Sequence, residues 1–299
     1  MSQGSNPEFS RAVAALPEIK ESLLSDDFIY PAAAKLGMTS EKLVYLIQMS
    51  MEETEHALRI LSKYNLKGKR ILEIGSGPGI LAAALRRTGF DFTTLEPGGK
   101  GIEHNKSLAY LVMERLRVRG PHLEILAESL DPAVHGFFDF IFSQNVLEHI
   151  AKLHACFDAM FSVLAPPGEI VCHCPNYFIP YEPHYRCWLI PFFPRWTRPF
   201  LSARPHLDDG VWESLNFITY RDVKKAAKRH GCSVNFDTGL MAAAFERIDS
   251  DPAFRQRHGA FSFVYFLIRK LGLLPLLKRW PGQFGSPMTF RVLKGENTF

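Results

Sequence analysis

Apolar positions along the chain change rhythm three times. Residues 8 to 65 read as helices: TSEKLVYLIQMSMEETEHALRILSKYN opens on Thr39 and Ser40 as candidate N-caps. It then places Leu43, Leu46, Ile47, Ala57, Leu58 and Leu61 at roughly helical spacing, and Lys67-Gly68-Lys69 ends the run. From residue 70 short apolar runs alternate with helical ones. Strands are predicted at Arg70–Ile74, Asp91–Leu95, Leu123–Leu126, Phe138–Phe142 and Gly168–Cys174, and helices at Ile80–Arg87, Ser107–Val118 and Leu147–Leu164. Such alternation implies parallel pairing through right-handed crossovers, hence a doubly wound α/β sheet. Past residue 175 the rhythm fails, because PNYFIPYEPHYRCWLIPFFPRWTRPFLSARPH holds too many prolines for a regular helix or a central strand. A helix returns at Tyr220–His230 with Gly231 as its stop, then strands at Ser233–Thr238 and Met288–Lys294. An insertion, residues 241–287 with the core FSFVYFLIRKLGLLPLLKRWP, separates those strands. The pattern divides the chain into a helical cap, 1–65, and a larger domain, 66–299, holding an aromatic loop at 175–215.

Composition narrows the functional classes. Hydrophobic residues make up 46% and charged ones 22%, enough for a real core and too little charge for a disordered chain. The net charge of +4 comes without a basic block, which argues against a nucleic-acid partner. The start, MSQGSNPEFSRAVAALPEIKESLL, lacks a basic stretch followed by an apolar run, so no secretory signal is expected. Five cysteines without framework spacing fit a cytoplasmic location. Cys172-His173-Cys174 sits in a strand-like stretch whose alternate residues point to opposite sides, so buried thiols are expected there rather than a metal site.

The chemistry begins at ILEIGSGPGILAAAL, residues 71 to 85. Glycines ending a strand and opening a helix bring bare backbone, and the first helical N–H groups, against a ligand. A dinucleotide site wants its third glycine five residues after the first, and that position is Ile80. The motif present is Glu73-Ile-Gly75-Ser-Gly77-Pro-Gly79.

This resembles the first motif of class I S-adenosylmethionine-dependent methyltransferases, and further landmarks follow in order over about residues 65–240 and 288–296. FTTLEP looks like the second strand, FDFIFSQNVLEHI the fourth with its helix, LAPPGEIVCHCPN the fifth, and VNFDTGL with TFRVLKG the closing hairpin. The resemblance implies a seven-stranded sheet and S-adenosylmethionine as cofactor. It implies that Gly75, Ser76, Gly77 and Gly79 shape the cofactor loop, and that Glu73 orients it near the methionine ammonium. Glu96 would hold the ribose hydroxyls, and Gln144 and Asn145 would line the methionine end. Relatives often carry an acid before the Ala-Glu pair of Leu126-Ala127-Glu128. Here leucine stands in that place, so adenine contact falls to the Ala127 backbone or the Glu128 side chain.

Methyl transfer needs alignment, exclusion of water and, for a hydroxyl acceptor, a base. His184, His149 and His173 are the catalytic candidates, His184 foremost because its loop lies beyond strand five, where such sheets receive a substrate. In quinone-biosynthesis O-methyltransferases a segment E-x-x-E-H is associated with a metal ion. Here Asn145 replaces the first acid, and no metal is expected; Glu148 and His149 are read as fastening their helix. The aromatics Tyr177, Phe178, Tyr181, Tyr185, Trp188, Phe192, Phe193 and Trp196 form either an acceptor wall or a small satellite core, and Glu182 and Arg186 are placed to bond sugar hydroxyls. Arg269, Lys270, Gly272 and Pro275 interrupt residues 261–281, which therefore do not span a bilayer. Flanked by Arg255, Arg257, Lys278 and Arg279, that segment is an interfacial membrane contact, a lid, or a buried helical pair. The expected acceptor is small or lipid- or glycan-linked and methylated on oxygen, with N- and C-methylation open. A module that binds the cofactor without transfer, and a nicotinamide-dependent reductase, are the rival readings.

Overall fold

The computed structural model describes residues 7–97, 103–201, 210–250 and 259–295. The first rhythm becomes three helices, α1 (Pro7–Leu24), α2 (Asp26–Leu36) and α3 (Ser40–Leu61). Thr39 caps α3 as expected: its hydroxyl accepts the Lys42 N–H at 3.2 Å, satisfying a donor that the first turn leaves open. The inward stripes of α1 and α3, including Leu16, Ile19, Leu23, Leu43, Ile47 and Leu58, are buried.

The alternating region supplies β1 (Arg70–Ile74), α4 (Ile80–Arg86), β2 (Asp91–Leu95), α5 (Glu103–Arg115), β3 (His122–Leu123), α6 (Pro132–His135), β4 (Phe138–Gln144), α7 (Leu153–Val163) and β5 (Leu164–Cys174). A two-stranded hairpin, β6 (Tyr181–Glu182) and β7 (Cys187–Trp188), lies in the proline-rich stretch expected to be irregular. Then come α8 (Val211–Ser214), α9 (Tyr220–Arg229), β8 (Ser233–Phe236), α10 (Leu240–Ser250), α11 (Gly259–Lys270), α12 (Leu274–Lys278) and β9 (Met288–Lys294). The main sheet has seven strands in the order β3-β2-β1-β4-β5-β9-β8. Strand β1 runs parallel to both β2 and β4, and β8 pairs antiparallel with β9, so the doubly wound, mostly parallel sheet with a closing antiparallel pair is present. The order reverses at β1, whose two neighbours are reached by crossovers in opposite directions; ligands of open α/β sheets collect at such a point.

By internal contacts the chain forms two units, residues 1–144 with 155–168, and residues 145–154 with 169–299. In the first, Ile71, Leu72, Ile74, Phe92 and Phe140–Phe142 are fully or almost fully buried, as continuous apolar runs of a two-sided sheet must be. Arg115 of α5 ties this unit to its own cap, donating to Ser22, Ser25 and both carboxylate oxygens of Asp27. In the second, Met288, Phe290 and Val292 of β9 are buried. Phe245 and Ile248 of α10 pack with Tyr265 of α11, and Ile268, Leu274 and Leu277 close on them.

Several predicted elements differ in extent: α5 starts four residues earlier and ends three earlier than expected, and β5 starts four residues earlier. Strand β3 is two residues long and starts one residue earlier than expected. The single helix expected over Leu147–Leu164 is a 3₁₀ turn at Leu147–His149 followed by α7 from Leu153, because Ile150 is extended. Asn216 holds that break open, its amide donating to the carbonyls of Leu147 at 2.6 Å and Ile150 at 2.9 Å.

Candidate active site

Two groups of functional side chains emerge, one in each unit. The first is built on the glycine run between β1 and α4. Gly75, Gly77 and Gly79 all have positive φ (75°, 49° and 74°), the left-handed region that a side chain strains to enter. The N–H groups of Gly75 and Ser76 both donate to the Leu95 carbonyl, at 2.8 and 3.2 Å, which hangs the loop on the end of β2. Nothing lies within 4 Å of where a Cβ would stand at Gly77, so that face of the loop is bare backbone. At Gly79 a Cβ would come within 2.9 Å of the Met113 methyl group, so here the missing side chain also lets α5 approach.

Glu96, next after β2, is buried, and its Oε2 accepts the Gly77 N–H at 2.8 Å. One carboxylate oxygen therefore sets the loop's shape, a second duty besides the expected hold on the ribose hydroxyls. Glu73 is 6% exposed and its Oε2 has no hydrogen-bond partner. Burial, reinforced by the charge of Glu96 and only partly offset by Arg86, pushes its pKa up to about 8, so it rests protonated at neutral pH. Arg86 was not expected: it reaches from α4 to the carbonyls of Phe92, at 2.7 Å, and of Pro121. The hydroxyl of Ser76 and the Oε1 of Gln144 are likewise buried without hydrogen-bond partners, while Gln144 Nε2 donates to the Glu53 carbonyl of α3 at 3.0 Å. A carboxyl, a hydroxyl and an amide oxygen, all unsatisfied, together with bare backbone, suit a ligand that brings an ammonium and hydroxyls.

Ala127 is buried at the start of a 3₁₀ turn, Ala127–Ser129, with Glu128 half-buried beside it. Asn145 has a positive φ of 54°, and its N–H donates to the His173 carbonyl at 2.8 Å. A cavity of about 720 Å³ opens at Ser76 and Gly79 and continues along Arg86, Tyr110, Met113, Arg117 and His122. Its lining includes neither Glu96, Ala127 nor Glu128, so it shares two loop residues with the expected cofactor site without coinciding with it.

The second group centres on Glu182 of β6, which is fully buried. Its Oε1 accepts from both the backbone N–H and Nδ1 of His184, each at 2.6 Å, and its Oε2 accepts the Tyr177 hydroxyl at 2.5 Å. Burial alone would raise the Glu182 pKa, but these donors and the His184 charge hold it below the ordinary carboxylate value. Glu182 is thus an anion, and the His184 proton must sit on Nδ1 to face it. Nε2 lies on the far side of the ring from Glu182, in a side chain that is 29% exposed. The His149 ring stands 5.1 Å away, edge to face. Its Nδ1 meets Ser214 Oγ at 2.8 Å, and that hydroxyl is spent on the Val211 carbonyl, so His149 also keeps its proton on Nδ1. Burial, and then the charge of His184, depress the His149 pKa to about 4.

Glu148, buried beside His149, completes a cluster with His184 whose ligand atoms lie within 4.8 Å of one another. Two ligands at zinc distance would stand only about 3.3 Å apart. Here His149 Nε2 and Glu148 Oε1 stand 3.9 Å apart. Ser214 and Glu182, which hold the two rings, are the kind of partner that orients metal-bound imidazoles and catalytic ones alike.

Several expected roles change here. His173 is not gathered with His149 and His184; it is 6% exposed in β5, with Nδ1 2.7 Å from Thr289 Oγ1 of β9, and serves the sheet. Glu182 is not open to sugar hydroxyls, since both oxygens are committed and the residue is buried; Arg186 remains exposed. The aromatic loop divides into two sets. Tyr177 and Tyr181 are buried, whereas Phe178, Trp188, Phe192, Phe193 and Trp196 are exposed. Residues 202–209, within that loop, and Arg255 and Arg257 lie outside the described residues. Cys172 and Cys174 are free, fully buried thiols, as expected. The Glu182–His184 pairing was findable in PYEPHYR as an acid two residues before a histidine across a proline; the Ser214 contact, 65 residues away, had no local signal.

Comparisons with known proteins agree with this geometry. A family described as "Methyltransferase domain" matches residues 45–235, well over half of the chain. An uncharacterized protein of Mycobacterium tuberculosis strain H37Rv is 35% identical over 199 residues, covering 64% of this chain and 66% of that protein. A ubiquinone biosynthesis O-methyltransferase of Psychrobacter arcticus is 32% identical over 110 residues, 37% of this chain and 42% of that one. The chain thus spans just under two thirds of the first relative's length and less than half of the second's. An S-adenosylmethionine-dependent methyltransferase structure from Mesorhizobium loti covers 82% of this chain and 97% of its own, at 13% identity and a TM-score of 0.48.

Proposed function

Since the chain belongs to the S-adenosylmethionine-dependent methyltransferase family, we propose that it methylates a hydroxyl on a small or lipid- or glycan-linked acceptor, with His184 as the base. The observation that carries this reading is the anchoring of His184 Nδ1, at 2.6 Å, on a buried and ionised Glu182. That bond orients the ring through Nδ1, so that proton transfer would run through Nε2 and the imidazolium would be stabilised by the carboxylate behind it. The name of the Psychrobacter relative, an O-methyltransferase, supports oxygen as the methylated atom.

When bound, S-adenosylmethionine supplies a methyl group on a sulfonium sulfur that leaves with its electron pair as a neutral thioether. The chain's residues do the rest. Gly75, Gly77 and Gly79 would offer bare backbone to the donor, and Glu96, which keeps the loop in shape, would lie toward the ribose hydroxyls. Glu73, Ser76 and Gln144 meet the amino-acid end with the polar atoms that lack partners. His184 Nε2 would take the proton that the acceptor hydroxyl gives up on methylation. His149, held neutral by its depressed pKa, adds no competing positive charge beside the imidazolium. Peripheral attachment through the exposed side of α11 and α12 would bring the chain to a lipid-linked acceptor, a role compatible with Phe266, Leu271 and Leu276 standing exposed there.

The test is transfer of a labelled methyl group to extracted lipids and glycans, and then to the acceptor so identified. His184→Ala should slow transfer by about 10²–10⁴-fold, the usual worth of a general base, with cofactor affinity unchanged. Equal turnover by the variant would remove His184 from the chemistry.

A further inference from the structure

We propose that residues 188–200 form a preformed wedge that docks the protein on an anionic phospholipid surface. Five large apolar side chains stand exposed within this short stretch: Trp188, Phe192, Phe193, Trp196 and Phe200, with Phe192 at 95% and Phe200 at 78%. Single exposed hydrophobes are ordinary, but such a concentration of aromatic rings marks a surface built to be covered. The contact named in the function proposed above, on α11 and α12, is a separate patch.

The stretch is held rigid from behind. Thr197 is buried, and its hydroxyl accepts the Ile190 N–H at 3.0 Å. The Leu189 N–H donates to the Pro180 carbonyl at 2.8 Å, and Tyr181 packs edge to face on Trp188 at 5.4 Å. Phe193 and Trp196 stack at 4.8 Å across the 3₁₀ turn Pro194–Phe200. Phe192 carries a φ of 67°, a conformation that a bulky side chain adopts only when its surroundings impose it. The rings are therefore turned outward by a fixed backbone, which spares the ordering cost a loose loop would meet on docking.

Charge selects the partner. No acid occurs between residues 183 and 207, while Arg186, Arg195, Arg198 and Arg204 do. Arg186, Arg195 and Arg198 are exposed. Of these, Arg198 meets Glu213, at 3.3 Å between exposed groups, and Arg195 donates to the Leu215 carbonyl. On the exposed apolar side of α11 and α12, Arg269 stands 2.6 Å from Asp249 and Lys278 2.9 Å from Glu246. Aromatic rings among exposed arginines match the headgroup region of an anionic bilayer, where rings sink to the acyl boundary and guanidinium groups stay with phosphates. A second copy fits less well, because a two-fold contact would set these same arginines against each other. The wedge continues from the β6–β7 hairpin that carries Glu182, with His184 in its turn, so docking would bring the proposed base to the bilayer surface. That benefit rests on the lipid-linked acceptor; the docking itself does not.

The full chain, without cofactor or acceptor, is floated with vesicles of phosphatidylcholine alone or mixed with phosphatidylglycerol at about three to one. We expect flotation with the mixed vesicles only, weakening as salt rises. Phe192→Ser/Phe200→Ser should lower it by about tenfold or more. Both rings are exposed, so folding is not at stake, and unchanged circular dichroism and S-adenosylhomocysteine binding verify this. Three results would overturn the proposal. One is no flotation with either vesicle. Another is flotation kept by that variant but lost in Leu271→Ser/Leu276→Ser, which assigns the contact to α11 and α12. The third is a lipid-free dimer in sedimentation that the Phe192/Phe200 variant dissolves. Since no methyl transfer is read, failure here leaves the function above standing, and failure of His184→Ala to slow transfer leaves the docking standing.

Discussion

Glu73 shows how one side chain couples stability to pH. Its folded pKa of about 8 lies above the ordinary 4.5, so the folded chain keeps a proton that the unfolded chain gives up between those values. Its contribution is therefore complete below pH 4.5 and is lost as pH rises through 8. Glu73→Gln keeps the shape and removes the titration. The variant should melt roughly 5 °C above the parent at pH 8, for of order 2 kcal/mol, with the gap closing toward pH 4.5. A variant less stable than the parent across that whole range would mean that Glu73 is ionised and paired. That Glu73 mattered was legible in the acid-plus-glycine motif, but its protonation was not, because it depends on Arg86 and Glu96 and on depth in the sheet. Glu182 illustrates the same limit. As letters it looked like a surface acid for a sugar; folded, it is the buried partner of His184 and Tyr177.

At the level of elements, the glycine loop ties local conformation to packing. Gly79 combines a positive φ with a 2.9 Å approach to the Met113 methyl group. The methyl end can move, so the backbone strain is the larger cost, and Gly79→Ala should destabilise by about 1–2 kcal/mol. Adding Met113→Ala should recover only the steric part, so a double variant as stable as the Met113→Ala parent in urea melts would contradict that division. The exactness with which β1, β2 and β9 matched the pattern has a physical origin. Their residues are mostly buried, and the segments are set off by glycine, proline or charge, as at Gly75 after β1, Glu96 after β2 and Pro287 before β9. The helix expected over Leu147–Leu164 failed for the opposite reason. Its break is imposed by Asn216, 66 residues beyond Ile150, and no periodicity near residue 150 reports a tether from so far along the chain.

For the whole molecule, the two groups to which roles are proposed belong to different units of one chain, the glycine loop with Glu96 to the first and His184 with Glu182 to the second. The sheet and the glycine loop were legible because they recur as ordered landmarks in sequence. The histidine group was only half legible, since three histidines were candidates and the fold gathers His149 with His184 while His173 lies buried beside Thr289. Calorimetric titration of S-adenosylhomocysteine into the full chain, Glu96→Ala and His184→Ala tests the assignment most directly. The account predicts clear binding by the parent, a loss of about tenfold or more for Glu96→Ala, and an affinity for His184→Ala within about twofold of the parent. No heat from the parent, or equal losses in both variants, would contradict it.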